Sequence, residues 1–234
     1  MPVWDDARIA RGMKRQLQER RRRLDAGERA LGWKVAFGAP QAMANMGIEA
    51  PLVGFLTDRA LVADGAAYSI AGWTKGALEP EIAVHMGSDL APGADRDTTA
   101  AAIAGLGAAF ELADLDGPLD DLEAAVAGNI FQRGVVLGPP DAARAGGETT
   151  GLRAGIRRDG APLAQTDTPL EMVGDLLDVV RHVADFVGAF GARLRAGEVI
   201  ITGSVVPLIW LEGSATYDYR LDPIGGLSLR IDDQ

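Results

Sequence analysis

Glu79 and Glu81 stand two positions apart in the stretch Ala-Leu-Glu-Pro-Glu-Ile-Ala-Val-His-Met that covers residues 77–86. The apolar run after the second acid reads as a buried strand. Strand side chains alternate faces, so residues i and i+2 project together. Two carboxylates on one inward face repel each other and lose hydration. Something cationic must offset that cost, and a divalent metal is the simplest candidate. A third acid, Glu111, lies in a second apolar segment at residues 108–113. Three carboxylate oxygens suit a hard cation such as Mg²⁺ or Mn²⁺ better than Zn²⁺. The competing reading places the pair on the solvent face of an edge strand, because unpaired Glu is seldom buried. Pro80 agrees with either, since a strand proline marks an edge or a bulge that re-aims a side chain.

Lys34 is the second candidate. Flanked by Trp33, Val35 and Phe37, it either snorkels its ammonium to water or meets the acids. In the second case it is a general acid/base or a carboxylate anchor. His85 follows Glu81 by four residues and would share the acids' face on a regular strand. A metal ligand or proton shuttle is open to it, but a buried, hydrogen-bonded core histidine is the simpler reading. His182 falls with Asp175, Asp178 and Asp185 on the polar side of a helix and reads as solvent-exposed. Thr202-Gly203-Ser204 closes an apolar strand, where glycine and a hydroxyl let backbone N–H groups approach an anion. By itself that triplet is an ordinary turn. Ser204 lacks the Gly-x-Ser-x-Gly elbow of a hydrolase nucleophile, and no phosphate-binding glycine fingerprint occurs.

The elements that must position these residues follow from periodicity. Asp5 caps a polar helix to about residue 26, with Ile9, Met13, Leu17 and Leu24 as its apolar stripe. Arg20, Arg21, Arg22 and Arg23 go round that helix and read as solvated. Strands are expected at 31–37, 52–56, 60–62, 77–86, 105–112, 199–202, 214–221 and 227–231. Short helices are expected at 40–46, 97–104 (capped by Asp97 or Thr98) and 119–127. Thr168-Pro169-Leu170-Glu171 has the pattern of a capping box opening one helix that runs to Gly191. Gly225-Gly226 reads as a hairpin turn. Strands cluster at both ends of the chain, which favours α+β over a doubly wound sheet.

A net charge of −10 argues against nucleic acid or an anionic membrane surface as the main partner. With no cysteine there is no thiolate ligand, thiol nucleophile or disulfide. No apolar run is long enough for a membrane span, and the charged N-terminus is unlike a signal segment, so a cytoplasmic protein is the expectation.

Together these pieces resemble the 2-keto-4-pentenoate hydratase / 4-oxalocrotonate decarboxylase group of the fumarylacetoacetate hydrolase superfamily. Gly32-Trp33-Lys34-Val35 is similar to that group's Gly-aromatic-Lys-Ile strand, and Ala42-Met43 with residues 52–56 to its next helix and strand. Glu79-Pro80-Glu81 matches the Glu-x-Glu metal motif, and residues 110–114 the strand of the third acid. Residues 127–129, 134–138 and 194–204 continue the match, which runs in order over 32–231. The resemblance implies a mixed β-roll with flanking helices, in a single domain of 1–234. Residues 1–30 would form an N-terminal helical segment and 31–234 the catalytic fold.

The resemblance further implies Mg²⁺ or Mn²⁺ held by Glu79, Glu81 and Glu111, where the carboxylate and 2-oxo oxygen of a 2-oxo acid chelate the ion and an enolate is stabilised. Lys34 and Glu81 would be catalytic, while Lys34, Asn129, Gly203 and Ser204 would hold the substrate. The implied activity is a lyase of aromatic-compound catabolism, hydrating a 2-hydroxyalkadienoate. Decarboxylation of 4-oxalocrotonate, acylpyruvate hydrolysis and non-catalytic 2-oxo acid binding are the alternatives. A homo-oligomer built from dimers is also implied. The chain departs from the group's pattern at Ala36-Phe37-Gly38-Ala39, Leu115-Asp116 and the segment after Ser204, which removes hydroxyls and a cation. No histidine precedes His85, which disfavours the hydrolase branch that uses a Glu/His pair in an N-terminal lid.

Overall fold

The computed structural model describes residues 2–117 and 121–234. After a 3-10 turn at Val3–Asp5, helix α1 (Ala7–Asp25) is capped by the carboxylate of Asp6, not Asp5, because the turn takes up Asp5. Next come β1 (Ala30–Ala36), α2 (Pro40–Met46), β2 (Leu52–Thr57) and β3 (Leu61–Val62), then β4 (Ala67–Ser69) and β5 (Gly76–Met86). Helix α3 (Arg96–Ala102), β6 (Ile103–Asp114), α4 (Leu122–Ala127) and β7 (Gln132–Leu137) follow. The start of the helix expected at 119–127 lies outside the described residues. The second half runs β8 (Arg153–Arg158), β9 (Ala161–Thr166), α5 (Leu170–Val173), α6 (Leu176–Ala189), β10 (Val199–Ser204), β11 (Ile209–Trp210), β12 (Ala215–Asp222) and β13 (Gly225–Asp232).

One sheet has the order β2-β1-β10-β5-β6-β7-β3, with β11 added to β5. Its β1–β10 and β3–β7 pairs are parallel and the rest antiparallel. The two outermost strands, β2 and β3, are consecutive in the chain and separated only by a 3-10 turn at Asp58–Ala60. The sheet therefore curls into a roll. Its inner face carries the small cluster Leu56, Ala60, Ala83, Ala109, Val135, Val199 and Ile201, which joins β2 to β7 across the interior. Alternate residues of the same strands, such as Trp33, Ile82, Phe110 and Ile200, belong to the larger outer core. That core also takes Ile9 and Met13 of α1, Val183 and Phe186 of α6, and Tyr217 and Tyr219 of the second sheet. The second sheet is ordered β4-β13-β12-β8-β9. A mixed β-roll with flanking helices is the architecture expected above.

Several local expectations fail for identifiable reasons. The helix expected from residue 168 to 191 is two helices, because Gly174 turns left-handed at φ 88° and the Asp175 carboxylate caps a new start at α6. The Thr168 side chain caps nothing; its carbonyl accepts from the Glu171 N–H at 3.0 Å. Helix α3 is capped by Asp95, ahead of the residues proposed. Gly225 and Gly226 lie inside β13, and the turn precedes them at Pro223 and Ile224. The hairpin β8–β9 had a sequence signal in Asp159-Gly160, whose φ values of 49° and 80° are those of a tight hairpin turn.

Candidate metal centre

Strand β5 lies between β10 and β6, so the two glutamates are central, not on an edge. Glu79 pairs across the ladder with Glu111, while Glu81 pairs with Ala109 on one side and Ser204 on the other. Alternation puts all three acids on the inner face of the roll, and an oxygen of each lies within 4.8 Å of the others. Glu81 and Glu111 are buried and Glu79 is half-buried, which removes the solvent-face alternative. Pro80 is tolerated in this central strand because the β5–β10 register shifts between Ile201 and Ser204. The Pro80 carbonyl accepts from Val205 N–H at 2.9 Å, so its missing N–H faces that irregular stretch. Within the shift, Gly203 at φ 97° turns its N–H to Glu81 Oε2, 2.6 Å away.

Lys34 sits on β1 opposite Ile201 and Gly54. Its Nζ forms an ion pair with Glu111 Oε1 and donates to the Ile130 carbonyl at 3.0 Å. With 2% of the lysine side chain and 1% of the glutamate exposed, the ammonium does not snorkel to water. Gly54 makes room, since a Cβ there would lie 3.0 Å from Lys34 Cγ and 2.9 Å from Asn129 Oδ1.

The Ile130 carbonyl is aimed by an unusual turn. Asn129, Ile130 and Phe131 hold φ values of 58°, 51° and 63°, a left-handed run that a β-branched residue rarely adopts. Asn129 does not line the cavity, contrary to the substrate contact expected of it. Its carboxamide accepts from Phe55 N–H at 2.8 Å and donates to Phe55 carbonyl at 2.9 Å. Strand β2 is an edge of the ladder, and this carboxamide pairs backbone groups that no further strand satisfies.

Burial and mutual repulsion set the charge state. Burial, with the nearby Glu111 charge, pushes Glu79 up to about 7, against the pull of Lys34. Burial and both other glutamates raise Glu81 well above the carboxylate range, though the Gly203 N–H opposes this. Glu111 is raised by burial, with Lys34 opposing. Glu81 Oε1 and Glu111 Oε2 are buried with no hydrogen-bond partner. Unpartnered carboxylate oxygens converging on one point, with no sulfur or nitrogen ligand beside them, fit a hard divalent cation.

A cavity of about 260 Å³ opens beside the acids, lined by Glu79, Lys34, Gly203 and Ser204 and by an apolar wall. Ser204 Oγ donates to the Val206 carbonyl at 2.7 Å, leaving its lone pairs toward other donors. The wall residues Phe131, Met172 and Leu208 were not singled out from the sequence, because apolar residues distant in sequence carry no local signal of a shared cavity.

The remaining candidates lie elsewhere. His85 does not line the cavity; it is half-buried, burial lowers its pKa, and its Nε2 has no partner. His182 is half-buried, not exposed as expected. Its Nε2 is 2.9 Å from the Pro51 carbonyl and its ring packs near Trp4 and Phe186. Arg20 is not solvated either, since its guanidinium lies over Trp33 and 3.5 Å from Glu198.

The family model described as fumarylacetoacetate (FAA) hydrolase C-terminal matches residues 31–231. Among curated proteins, 2-hydroxyhexa-2,4-dienoate hydratase of Comamonas testosteroni is 29% identical over 218 residues, covering 90% of this chain and 81% of the relative. Among solved structures, 4-oxalocrotonate decarboxylase from Pseudomonas putida G7, complexed with magnesium and adipate, superposes with a TM-score of 0.85 at 24% identity. That match covers 98% of this chain and 89% of the other. Fumarylpyruvate hydrolase from Pseudomonas aeruginosa, in complex with Mn²⁺ and pyruvate, gives a TM-score of 0.69 at 18% identity, covering 88% and 90%.

Proposed function

The chain belongs to the fumarylacetoacetate hydrolase family, and from that premise we propose that it is a metal-dependent lyase acting on a 2-oxo acid or its enol. Hydration of a 2-hydroxyalkadienoate is the reaction it fits best. The observation that carries this reading is the convergence of unpartnered oxygens of Glu81 and Glu111 with Glu79 and Lys34 beside a cavity. Glu79, Glu81 and Glu111 would hold Mg²⁺ or Mn²⁺. When bound, the ion supplies a Lewis acid for the two adjacent oxygens of a 2-oxo acid and offsets the three carboxylate charges.

The chain's own groups have separate tasks. Lys34 carries a proton at Nζ, held by Glu111 and the Ile130 carbonyl, and is placed to exchange it with a substrate carbon or hold a substrate oxygen. The Gly203 N–H fixes the rotamer of Glu81. Ser204 offers lone pairs to a substrate hydroxyl or an attacking water. The apolar wall limits water to what these groups admit.

The relatives support the reading: the Comamonas protein carries a hydratase name and the Pseudomonas putida neighbour a decarboxylase name. An assay on 2-hydroxypenta-2,4-dienoate and on 4-oxalocrotonate, with Mg²⁺ or Mn²⁺, separates the two chemistries. Hydration that stops in chelator and returns with either ion is the expected result. Full turnover in excess chelator would remove the metal mechanism.

A further inference from the structure

Strands β5 and β6 carry the three acids on the inner face of the roll, and their outer face packs on the second sheet. Tyr219 lies in β12, the middle strand of that sheet, paired with Leu227 on one side and Ile156 on the other. Its side chain is buried and reaches both acid-bearing strands. The phenol donates to the main-chain carbonyl of Glu81 at 3.2 Å. The ring centroid lies 5.6 Å from that of Phe110, which precedes Glu111 in β6 and pairs with Pro80 across the ladder. Tyr217 shares the buried face of β12, but its hydroxyl has no hydrogen-bond partner among the described residues. Neither tyrosine lines the cavity.

We propose that Tyr219 is a positioning residue for the metal centre. Its hydroxyl fixes the main chain of Glu81 and its ring braces Phe110, so that the Glu81 and Glu111 oxygens keep the spacing a shared divalent ion needs. The inference rests on the metal-binding reading above and adds the group that holds the ligands in place from behind. On the β10 side the register with β5 breaks between Ile201 and Ser204, so the ladder alone does not hold Glu81 there. The Gly203 N–H fixes one carboxylate oxygen of Glu81 and leaves the other unpartnered. Mutual repulsion of the acids favours their separation until an ion arrives. A buried donor anchored in a separate sheet opposes that movement, in the way outer partners hold a metal ligand in its coordinating orientation.

The test is Mn²⁺ titration of the whole protein, followed by electron paramagnetic resonance, on wild type, Tyr219→Phe and Tyr217→Phe, each checked for native circular dichroism. Tyr219→Phe keeps the ring against Phe110 and removes only the hydroxyl. Its Mn²⁺ affinity should fall about tenfold, the low end of what loss of an outer partner costs, because the hydroxyl acts on the main chain. The spectrum of the bound ion should change as well, since Glu81 shifts. Tyr217→Phe removes a neighbouring buried hydroxyl that holds nothing, and should bind Mn²⁺ as wild type does. An affinity within about twofold of wild type in folded Tyr219→Phe, or an equal loss in Tyr217→Phe, would overturn the positioning role and leave the metal site standing. A wild-type chain that binds no Mn²⁺ would remove the metal reading, and the inference with it. If Tyr219→Phe does not fold, wild type labelled with 3-fluorotyrosine decides the matter. Saturating Mg²⁺ should then shift the Tyr219 fluorine resonance and leave that of Tyr68 in place, and an unmoved Tyr219 resonance would refute the proposal.

Discussion

Asn129 offers the sharpest prediction about how the site is held in place. Its carboxamide satisfies both backbone polar groups of Phe55 on the edge strand β2, at 2.8 and 2.9 Å. Asn129→Ala leaves a buried N–H and a buried carbonyl without partners, each costing roughly 1–3 kcal/mol. Water entering the vacated space recovers part of that, so the expected loss is about 3 kcal/mol. Alanine also takes on the left-handed strain at φ 58°, which asparagine tolerates better. Asn129→Gly removes the same hydrogen bonds without that strain, so it should be at least as stable as Asn129→Ala despite its freer unfolded chain. Asn129→Asp keeps an acceptor for Phe55 N–H but sets a carboxylate oxygen against the Phe55 carbonyl, and should be no better than alanine. Urea unfolding in chelator gives the three free energies. An alanine variant within about 0.5 kcal/mol of wild type would refute the reasoning. A glycine variant clearly below alanine would refute the strain argument.

Lys34→Met removes the cation from a buried pair. It should cost up to about 3–5 kcal/mol in stability, less whatever Glu111 recovers by taking up a proton, and lower kcat at least about a hundredfold. Calorimetric titration should show Mn²⁺ binding retained, because no ligand oxygen has been lost. Glu79, pushed up to about 7 from a usual value near 4.5, lends stability that is complete below the unfolded value and is lost as pH rises through 7. Metal-free protein should therefore lose on the order of 1–3 kcal/mol from this group between pH 5 and 8. Burial lowers the pKa of His85 and His182, which pushes the other way, so the comparison with Glu79→Gln carries the result. The loss between the two pH values should be smaller in that variant than in wild type, with Glu81 and Glu111, also raised by burial, supplying what remains, and saturating Mg²⁺ should reduce the loss in wild type. Gly32→Ala should cost at least about 3 kcal/mol in thermal or urea unfolding. The new Cβ would lie 1.9 Å from the Val199 carbonyl oxygen, against the parallel partner that sets the register of Lys34.

What the sequence disclosed follows from the range of the interactions involved. The acids of β5 and β6 were legible because a two-residue period and a buried apolar run are local, and helix α2 at Pro40–Met46 was bounded by its proline and a following glycine. The partnership of Lys34 with Glu111 was open from spacing, since it spans 77 residues. The bonds of Asn129 to Phe55 were not legible, because Phe55 lies 74 residues away on a strand edge that only the folded sheet defines. His182 was misplaced for the same reason: its partner, the Pro51 carbonyl, is 131 residues distant. Gly174 and Asp175 are a local stop and restart, but the unbroken apolar period across them masked the boundary.

Glu79, Glu81 and Glu111 are proposed to hold one divalent cation together. Mn²⁺ titration followed by electron paramagnetic resonance, on wild type and on Glu81→Gln, tests it without reference to any substrate. A single tightly held Mn²⁺ per wild-type chain, displaced by Mg²⁺, is expected, with an affinity at least about a hundredfold weaker in Glu81→Gln, since loss of even an outer-shell partner costs about 10–100-fold. A wild-type chain that holds no ion, or a Glu81→Gln variant that binds Mn²⁺ as tightly as wild type, would contradict it.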